Sequence, residues 1–275
     1  MLFDHVPVFI KGGGDLASGV TYRLVKAGFP VLISELPQPL AIRRTVSFAS
    51  AVYEDMITVE GLTARRTNHL RECQTLWAAG EIPVVVDVQG DVAVALKPPV
   101  IVDARMAKRN LGTTIQDATL VLGLGPGFEA GKDCHAVIET NRGHDLGRVI
   151  WQGTAEPNTG RPGSIQGYTS DRVLRAPEDG YVRPHVQIGD MVTQGAVIAE
   201  INGTQLIAPF DGVLRGLIHP SVRVTAGMKI GDVDPRAKPE YCFKISEKSL
   251  AIGGGVVEAV LSAPHMIRLL RDRGR

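Results

Sequence analysis

The sequence predicts an α/β chain: a Rossmann-like parallel-sheet domain followed by a small all-β domain. Three observations predict it. A glycine loop, Gly12-Gly13-Gly14-Asp15-Leu16-Ala17, joins an apolar run to a helical pattern. Strand-like and helix-like segments then alternate through the first half. A 32-residue repeat of short strands and turns occupies the second half. The expected boundaries are 1–170 for the Rossmann-like domain with a polar middle segment, 171–236 for the repeat, and 237–275 for a terminal strand and helices that could return to the first domain.

The first unit is strand, loop, helix, strand. Val6-Pro7-Val8-Phe9-Ile10 is a short apolar run that ends at glycines, as a buried parallel strand does. Leu16, Val20, Leu24 and Ala27 recur at helical spacing, and Gly28 closes the helix. Pro30 to Glu35 reads as the second strand. In such a unit Gly12 permits the tight turn, Gly14 lets the backbone approach a phosphate, and Ala17 allows close helix–strand packing. The helix N-terminus offers N–H groups to an anion. Glu35 stands where a carboxylate would accept ribose hydroxyls, and Arg43 and Arg44 could receive a phosphate or form a solvated face.

The alternation continues. Pro39 to Tyr53 and Thr67 to Ala79 read as helices. Ile57-Thr58-Val59, Ile82 to Asp87, Val100 to Asp103 and Leu120 to Gly123 read as strands. Strands alternating with helices imply a doubly wound parallel sheet, with ligands beyond the carboxyl ends of its strands. Asp87, Asp103 and the loop Gly123-Leu124-Gly125-Pro126-Gly127-Phe128 fall at such ends and are expected to face the same crevice as the first glycine loop. Gly123, Gly125 and Gly127 therefore join the candidate cofactor-binding set.

Residues 133–168 are rich in polar and turn-forming types. On a strand, Asp133, His135, Val137 and Glu139 share one face, and His144 returns from a turn. His135, Glu139 and His144 are the candidate acid–base or ligand-contacting residues, with hydrogen-bonded structural roles as the alternative. The spacing fits no closed zinc pattern, so no metal is expected. Asn158 to Gly163, with Thr159 and Arg161, reads as an ordered loop at the domain boundary.

The repeat is regular. Leu174-Arg175-Ala176-Pro177-Glu178-Asp179-Gly180 returns as Leu206-Ile207-Ala208-Pro209-Phe210-Asp211-Gly212, Arg183 as Arg215, and Val192-Thr193-Gln194-Gly195 as Val224-Thr225-Ala226-Gly227, all 32 residues apart. Ala-Pro-x-Asp-Gly followed by Gly189-Asp190-x-Val192-x-x-Gly195 resembles biotinyl/lipoyl carrier domains, which implies a barrel-sandwich hybrid. The carriers attach their cofactor to a lysine at the tip between copies. Here that connection, Ala199 to Gln205, has none, and Lys229 is the only lysine between Ala176 and Gly231. No covalent biotin or lipoate is expected, and the module reads as a rigid dock or cap. Further on, Ile252-Gly253-Gly254-Gly255-Val256 reads as a second anion-binding turn or a return to the first domain.

Composition narrows the classes. A net charge of +1 and 5% aromatic residues give no footprint for nucleic acid. Three scattered cysteines do not make a disulfide framework and suit a reducing compartment. No secretory signal is recognised and no stretch approaches the roughly 20 apolar residues of a membrane span. The expected location is cytoplasmic.

Several segments together resemble the YqeB-type family, linked to the selenium-dependent molybdenum hydroxylase system. They are Lys11 to Gly19, Ile42 to Val46, Gly123 to Phe128, His135 to Thr140, Arg142 to His144, Leu214 to Ile218, Ile230 to Arg236 and Ala251 to Gly255. The first domain is also similar in kind to XdhC-type chaperones. The resemblance implies an accessory or maturation protein for a molybdenum hydroxylase. Its partners would be the hydroxylase apoenzyme and a nucleotide (NAD(P)-like) or molybdopterin-type cofactor. Two alternatives stand beside it: an NAD(P)-dependent oxidoreductase, and a non-catalytic scaffold with a degenerate Rossmann fold. The residues leave open whether any bond is made or broken, and whether the chain forms a homo-oligomer.

Overall fold

A computed structural model describes residues 1–158, 160 and 167–271. In the first half the order is β1 (Val8–Lys11), α1 (Asp15–Ala27), β2 (Val31–Glu35), α2 (Ala51–Glu54), β3 (Met56–Val59), β4 (Leu62–Thr67), α3 (Cys73–Ala78) and β5 (Ile82–Val86). Then come α4 (Asp91–Leu96), β6 (Val100–Asp103), β7 (Leu120–Leu124), β8 (Glu129–Ala130), β9 (Ala136–Ile138), β10 (Val149–Ile150) and β11 (Gly153–Thr154). Nine of these strands form one sheet in the order β10-β9-β7-β6-β1-β2-β5-β4-β3. The seven inner strands run parallel, while β3 and β10 pair antiparallel at the two edges. The order reverses at β1, which sits between β2 and β6, so a crevice opens beyond the carboxyl end of β1.

The alternation of side chains along β1 builds two cores. Val8 and Ile10 join Ala17, Val20 and Leu24 of α1 on one face. Phe9 turns the other way, to Leu32, Ile101, Cys73 and Trp77. The Trp77 indole N–H donates to the Val31 carbonyl at 2.8 Å, so the ring is satisfied where it is buried. Gly28, at φ +96°, ends α1, and its N–H caps Leu24 and Val25.

The chain then enters β12 (Val173–Arg175), β13 (Gly180–Tyr181), β14 (Arg183–Pro184), β15 (Met191–Val192), β16 (Val197–Ile201), β17 (Thr204–Ile207), β18 (Gly212–Leu217), β19 (Arg223–Val224) and β20 (Lys229–Asp234). They form three sheets: β12-β20-β18-β15, β13-β19 and β14-β16-β17. The copies of the repeat exchange contacts. Asp179 accepts the Ala226 N–H at 2.9 Å, and its counterpart Asp211 accepts the Gln194 N–H at 2.7 Å, so each aspartate holds the other copy's turn. A separate apolar core, including Leu174, Ile198, Leu214 and Ile230, fills this part.

The last segment carries α5 (Glu247–Ser262) and α6 (Ile267–Arg271). Ser246 caps α5 by accepting the Ser249 N–H. Ile252, Val256, Ala259 and Val260 enter the core that α1 and the large sheet share. The triplet Gly253-Gly254-Gly255 lies inside this helix, not at an anion-binding turn. Gly253 and Gly19 let α5 and α1 approach: a Cβ on Gly253 would stand 2.5 Å from the Gly19 carbonyl oxygen.

The predicted fold class is corrected in both halves. The first half is a mixed α/β fold around a large, mostly parallel sheet, not a doubly wound Rossmann-like domain. No α-helix lies between β6 and β11. Pro39 to Tyr53 forms short 3₁₀ turns and the four-residue α2. Within Thr67 to Ala79, only Cys73–Ala78 is α-helical. The missed strand β4 pairs with β3 through a turn in which Glu60 and Gly61 both have positive φ, the requirement of a tight hairpin. The second half is likewise not a carrier-type barrel-sandwich hybrid. Its strands divide among three small sheets, and it abuts the first half directly: a Cβ on Gly216 would meet the Ile42 carbonyl oxygen at 2.9 Å. Short strands and turns dictate local pairing, but they do not dictate which sheet each strand joins. Among the described residues, no single helix is long and apolar enough to cross a membrane.

Candidate functional site

A cleft of about 690 Å³ opens at the strand ends. Every element of the large sheet that reaches it does so just past a strand. Gly12, Gly14 and Asp15 follow β1, and Glu35 ends β2. Ala104, Arg105 and Met106 follow β6, Pro126 follows β7, and Thr140, Asn141 and Arg142 follow β9. The opposite wall comes from the C-terminal strands through Arg172, Arg175, Arg215, Lys229 and Asp232, with Ser246 and Lys248 at the start of α5.

The cleft is strongly cationic although the chain is nearly neutral. Nine arginines and lysines line it against four carboxylates. Most of the guanidiniums are held by acids or carbonyls. Arg43 pairs with Asp15 at 3.2 Å and donates to the Tyr241 and Lys244 carbonyls. Arg105 forks onto Asp103, which is buried and also accepts the Thr113 hydroxyl. Arg172 donates to both oxygens of Asp232 at 2.7 and 2.8 Å. Arg215 meets Asp234 at 3.1 Å, and Arg236 forks onto the same carboxylate. Burial would raise the Asp234 carboxyl, yet Arg236 and Arg215 hold it below the usual range.

The pairing is incomplete. Among the described residues, the buried side-chain polar atoms without a partner are Thr21 Oγ1 and the Nε of Arg43, Arg172 and Arg215. All three arginines line the cleft. Desolvation first, then repulsion from Arg43, pushes Arg215 down to about 10. Desolvation, with Arg142 adding repulsion, also lowers the Lys248 ammonium. Buried donors without acceptors are costly, and an incoming anion relieves the cost.

The glycine loop differs from its expected form. The Glu35 carboxylate accepts the Gly13 N–H at 2.7 Å and the Leu36 N–H at 2.8 Å. It therefore clasps the loop instead of standing free for a ribose. Burial raises its pKa despite those two donors. Gly13 is packed against Ala49, with 2.9 Å to the Ala49 nitrogen for any added Cβ. Gly14 faces open space, with nothing within 4 Å of an added Cβ. Asp15 and Leu16 line the cleft, and Ala17 is buried in the core behind it.

Other expected residues play supporting parts. Arg44 donates to the Leu217 carbonyl at 2.8 Å and is not among the lining residues. Gly123 packs against the Phe128 ring, Gly125 against Thr140, and Gly127 against Arg109, so this loop's glycines answer to protein neighbours; Pro126 reaches the cleft. Asp87 caps α4 by accepting the N–H groups of Gly90, Asp91 and Val92. His135 accepts the Val121 N–H and its ring lies tilted against that of His265, away from the cleft. Glu139 is buried and accepts the N–H groups of Thr140, Asn141 and Glu156, each at 2.7 Å. It is a clasp that sets the cleft rim. His144 is exposed and does not line the cleft. Thr159 and Arg161, and with them most of the 158–163 loop, lie outside the described residues. No group of three or more His, Cys, Asp or Glu that could hold a metal occurs among the described residues.

Sequence reasoning passed over most of the cationic wall: Arg105, Lys108, Arg142, Arg172, Arg175, Lys229 and Lys248. A signal existed for part of it. Arg215 interrupts the apolar run of β18, and Asp232 and Asp234 interrupt β20; charges inside buried strands need partners. Among the described lining residues there is no histidine or cysteine to move a proton near neutral pH or attack a substrate.

No family model matches the chain. It is 50% identical over 261 residues to the uncharacterized protein YqeB of Escherichia coli (strain K12). That alignment takes in 95% of this chain and 48% of YqeB, so the chain spans about half the length of that relative. Among solved structures, it has a likeness to an aspartoacylase family protein from Mesorhizobium loti, 11% identical, covering 83% of this chain and 84% of that one, with a TM-score of 0.27. A second is the ectoine utilization protein EutE (DoeB) from Ruegeria pomeroyi, 9% identical, covering 83% and 86%, with a TM-score of 0.25. A third, a succinylglutamate desuccinylase/aspartoacylase from Rhodobacter sphaeroides, is 23% identical but covers 31% and 29%, with a TM-score of 0.22. Likeness at these scores transfers neither site nor activity.

Proposed function

We propose, from the premise that this chain is a homologue of YqeB over about half of that protein's length, that it holds a phosphate-bearing cofactor, of nucleotide or molybdopterin type, for delivery to a molybdenum hydroxylase. The observation that carries the ligand half is the cationic cleft at the strand ends, with the Nε groups of Arg43, Arg172 and Arg215 buried and unpartnered. Guanidiniums suit phosphate because they offer planar, paired donors. The delivery half rests on the resemblance of Lys11 to Gly19, Gly123 to Phe128 and the other matching segments to the YqeB-type family.

The oxidoreductase alternative loses its ribose acceptor, because Glu35 is committed to Gly13. The scaffold alternative leaves the cost of three buried unpartnered donors unexplained.

Thermal melts of the full chain with NAD, NADP, nucleoside mono-, di- and triphosphates and a molybdopterin dinucleotide test the ligand half. A ligand of this cleft at about 100 times its Kd stabilises by about 2.7 kcal/mol. No stabilisation by any of these compounds overturns the proposal. For the delivery half, deleting the gene is expected to leave the host's molybdenum hydroxylase inactive; full hydroxylase activity in the deletion strain refutes it.

A further inference from the structure

We propose that the cleft takes a diphosphate-bridged ligand, with the diphosphate on the wall built by the C-terminal strands and the hydroxyl- or amino-bearing end of the ligand toward Asp15 and the glycine loop. This rests on the preceding reading that the cleft binds a phosphate-bearing ligand, and it reverses the orientation that a glycine loop ordinarily implies.

The loop end is unsuited to phosphate. Glu35 occupies the Gly13 N–H at 2.7 Å, removing one of the donors that a phosphate would use. Its carboxylate and that of Asp15 both line this end; Arg43 pairs with Asp15 at 3.2 Å, and the Glu35 carboxylate repels an anion placed beside it. A carboxylate such as that of Asp15 instead accepts hydrogen bonds from hydroxyl or amino groups, as a sugar or a pterin ring offers.

The opposite wall has the complementary character. Asp232 and Asp234 are two residues apart on β20, so they share one face of the strand, and they hold Arg172 and Arg215 side by side. Both guanidiniums keep an unpartnered Nε, and the Arg215 side chain is only 7% exposed. Arg175 spends one nitrogen on the Gly227 carbonyl. The Lys229 ammonium makes no hydrogen bond or ion pair among the described residues. With Arg236 also on Asp234, five cations stand against two carboxylates, a surplus of three positive charges that exceeds the roughly two negative charges of a diphosphate bridge.

Inorganic pyrophosphate and inorganic phosphate, titrated calorimetrically into the full chain, test the proposal. Pyrophosphate is expected to bind at least about tenfold more tightly than phosphate. The double variant Arg175→Gln/Lys229→Gln changes exposed residues and is expected to weaken pyrophosphate about tenfold. Gly14→Val fills the open space at the loop with a side chain compatible with its backbone (φ −64°, ψ −178°); it should alter pyrophosphate affinity by less than about threefold. Circular dichroism and melts confirm that both variants fold. Loss of binding in Gly14→Val, whether or not the double variant also loses it, places phosphate at the loop and overturns the proposal while the binding reading stands. A wild type that binds a nucleotide but no pyrophosphate overturns it in the same way. If no phosphate-bearing compound binds at all, the binding reading itself fails.

Discussion

The carboxylate of Glu35 accepts the N–H of Gly13 at 2.7 Å, joining the end of the second strand to the glycine loop after the first. That one bond turns the residue expected to hold a ribose into part of the loop's own framework. Replacing Glu35 by alanine leaves the Gly13 and Leu36 N–H groups without their acceptors. The Gly13 bond is partly buried and the Leu36 bond exposed, so the expected cost in urea melts comes mainly from Gly13 and is about 1–3 kcal/mol. Ligand binding in the same variant should retain its dependence on phosphate, because the cations of the far wall are untouched.

The crossing of α1 and α5 depends on glycine at two places. An added Cβ on Gly19 would stand 2.3 Å from the Ser249 carbonyl oxygen, and one on Gly253 would stand 2.5 Å from that of Gly19. Either Gly19→Ala or Gly253→Ala forces the helices apart and is expected to cost about 1–3 kcal/mol. Gly254→Ala is the control within the same helix. An added Cβ there meets nothing within 4 Å, and helix propensity should make the variant more stable by up to about 1 kcal/mol. Chemical denaturation of the three variants distinguishes packing from propensity.

Glu139 supports the rim through three backbone donors. If it acted as an acid–base group, Glu139→Ala would stay folded and lose only turnover. The clasp instead predicts a stability loss of about 3 kcal/mol or more, since three N–H groups lose their acceptor at once. Ligand affinity should fall with it, because Thr140 and Asn141 line the cleft. Melts and titrations on one preparation separate the two outcomes.

His135 makes a pH prediction. Desolvation, then repulsion from His265, lowers its pKa from the ordinary 6.5, and its Nδ1 must stay unprotonated to accept the Val121 N–H. The unfolded chain therefore binds the proton more readily than the folded one. The contribution is fully present above 6.5 and is lost as pH falls through the lowered folded value. Urea melts at neutral and mildly acidic pH should show this loss in the wild type. His135→Asn, whose amide oxygen can accept the same N–H but does not titrate, should reduce it.

The legible parts were those written in short range. The glycine loop, α1 with its Gly28 stop, and strands β1, β2, β5, β6 and β7 all follow from apolar runs, helical spacing and turn residues a few positions apart. The 32-residue repeat was equally plain, and its two aspartates do make equivalent bonds, Asp179 to Ala226 and Asp211 to Gln194. The segment Thr67 to Ala79 is helical over its Leu70 to Ala78 part, whereas Pro39 to Tyr53 forms mainly 3₁₀ turns, which apolar spacing alone cannot distinguish from a helix.

Short-range pattern in the chain is enough for a strand–glycine loop–helix start, a mostly parallel alternation and a duplicated set of turns. Tertiary structure decided which charges meet. Arg43, Arg105, Arg172 and Arg215 are far apart in the chain and line one cleft only because the C-terminal strands close over the ends of the large sheet. It also decided that Glu35 is satisfied by a backbone donor, and that Gly253 is a helix contact. Local pattern encodes which face of an element is apolar. Electrostatic sites instead depend on distances between elements, which no spacing along the chain records.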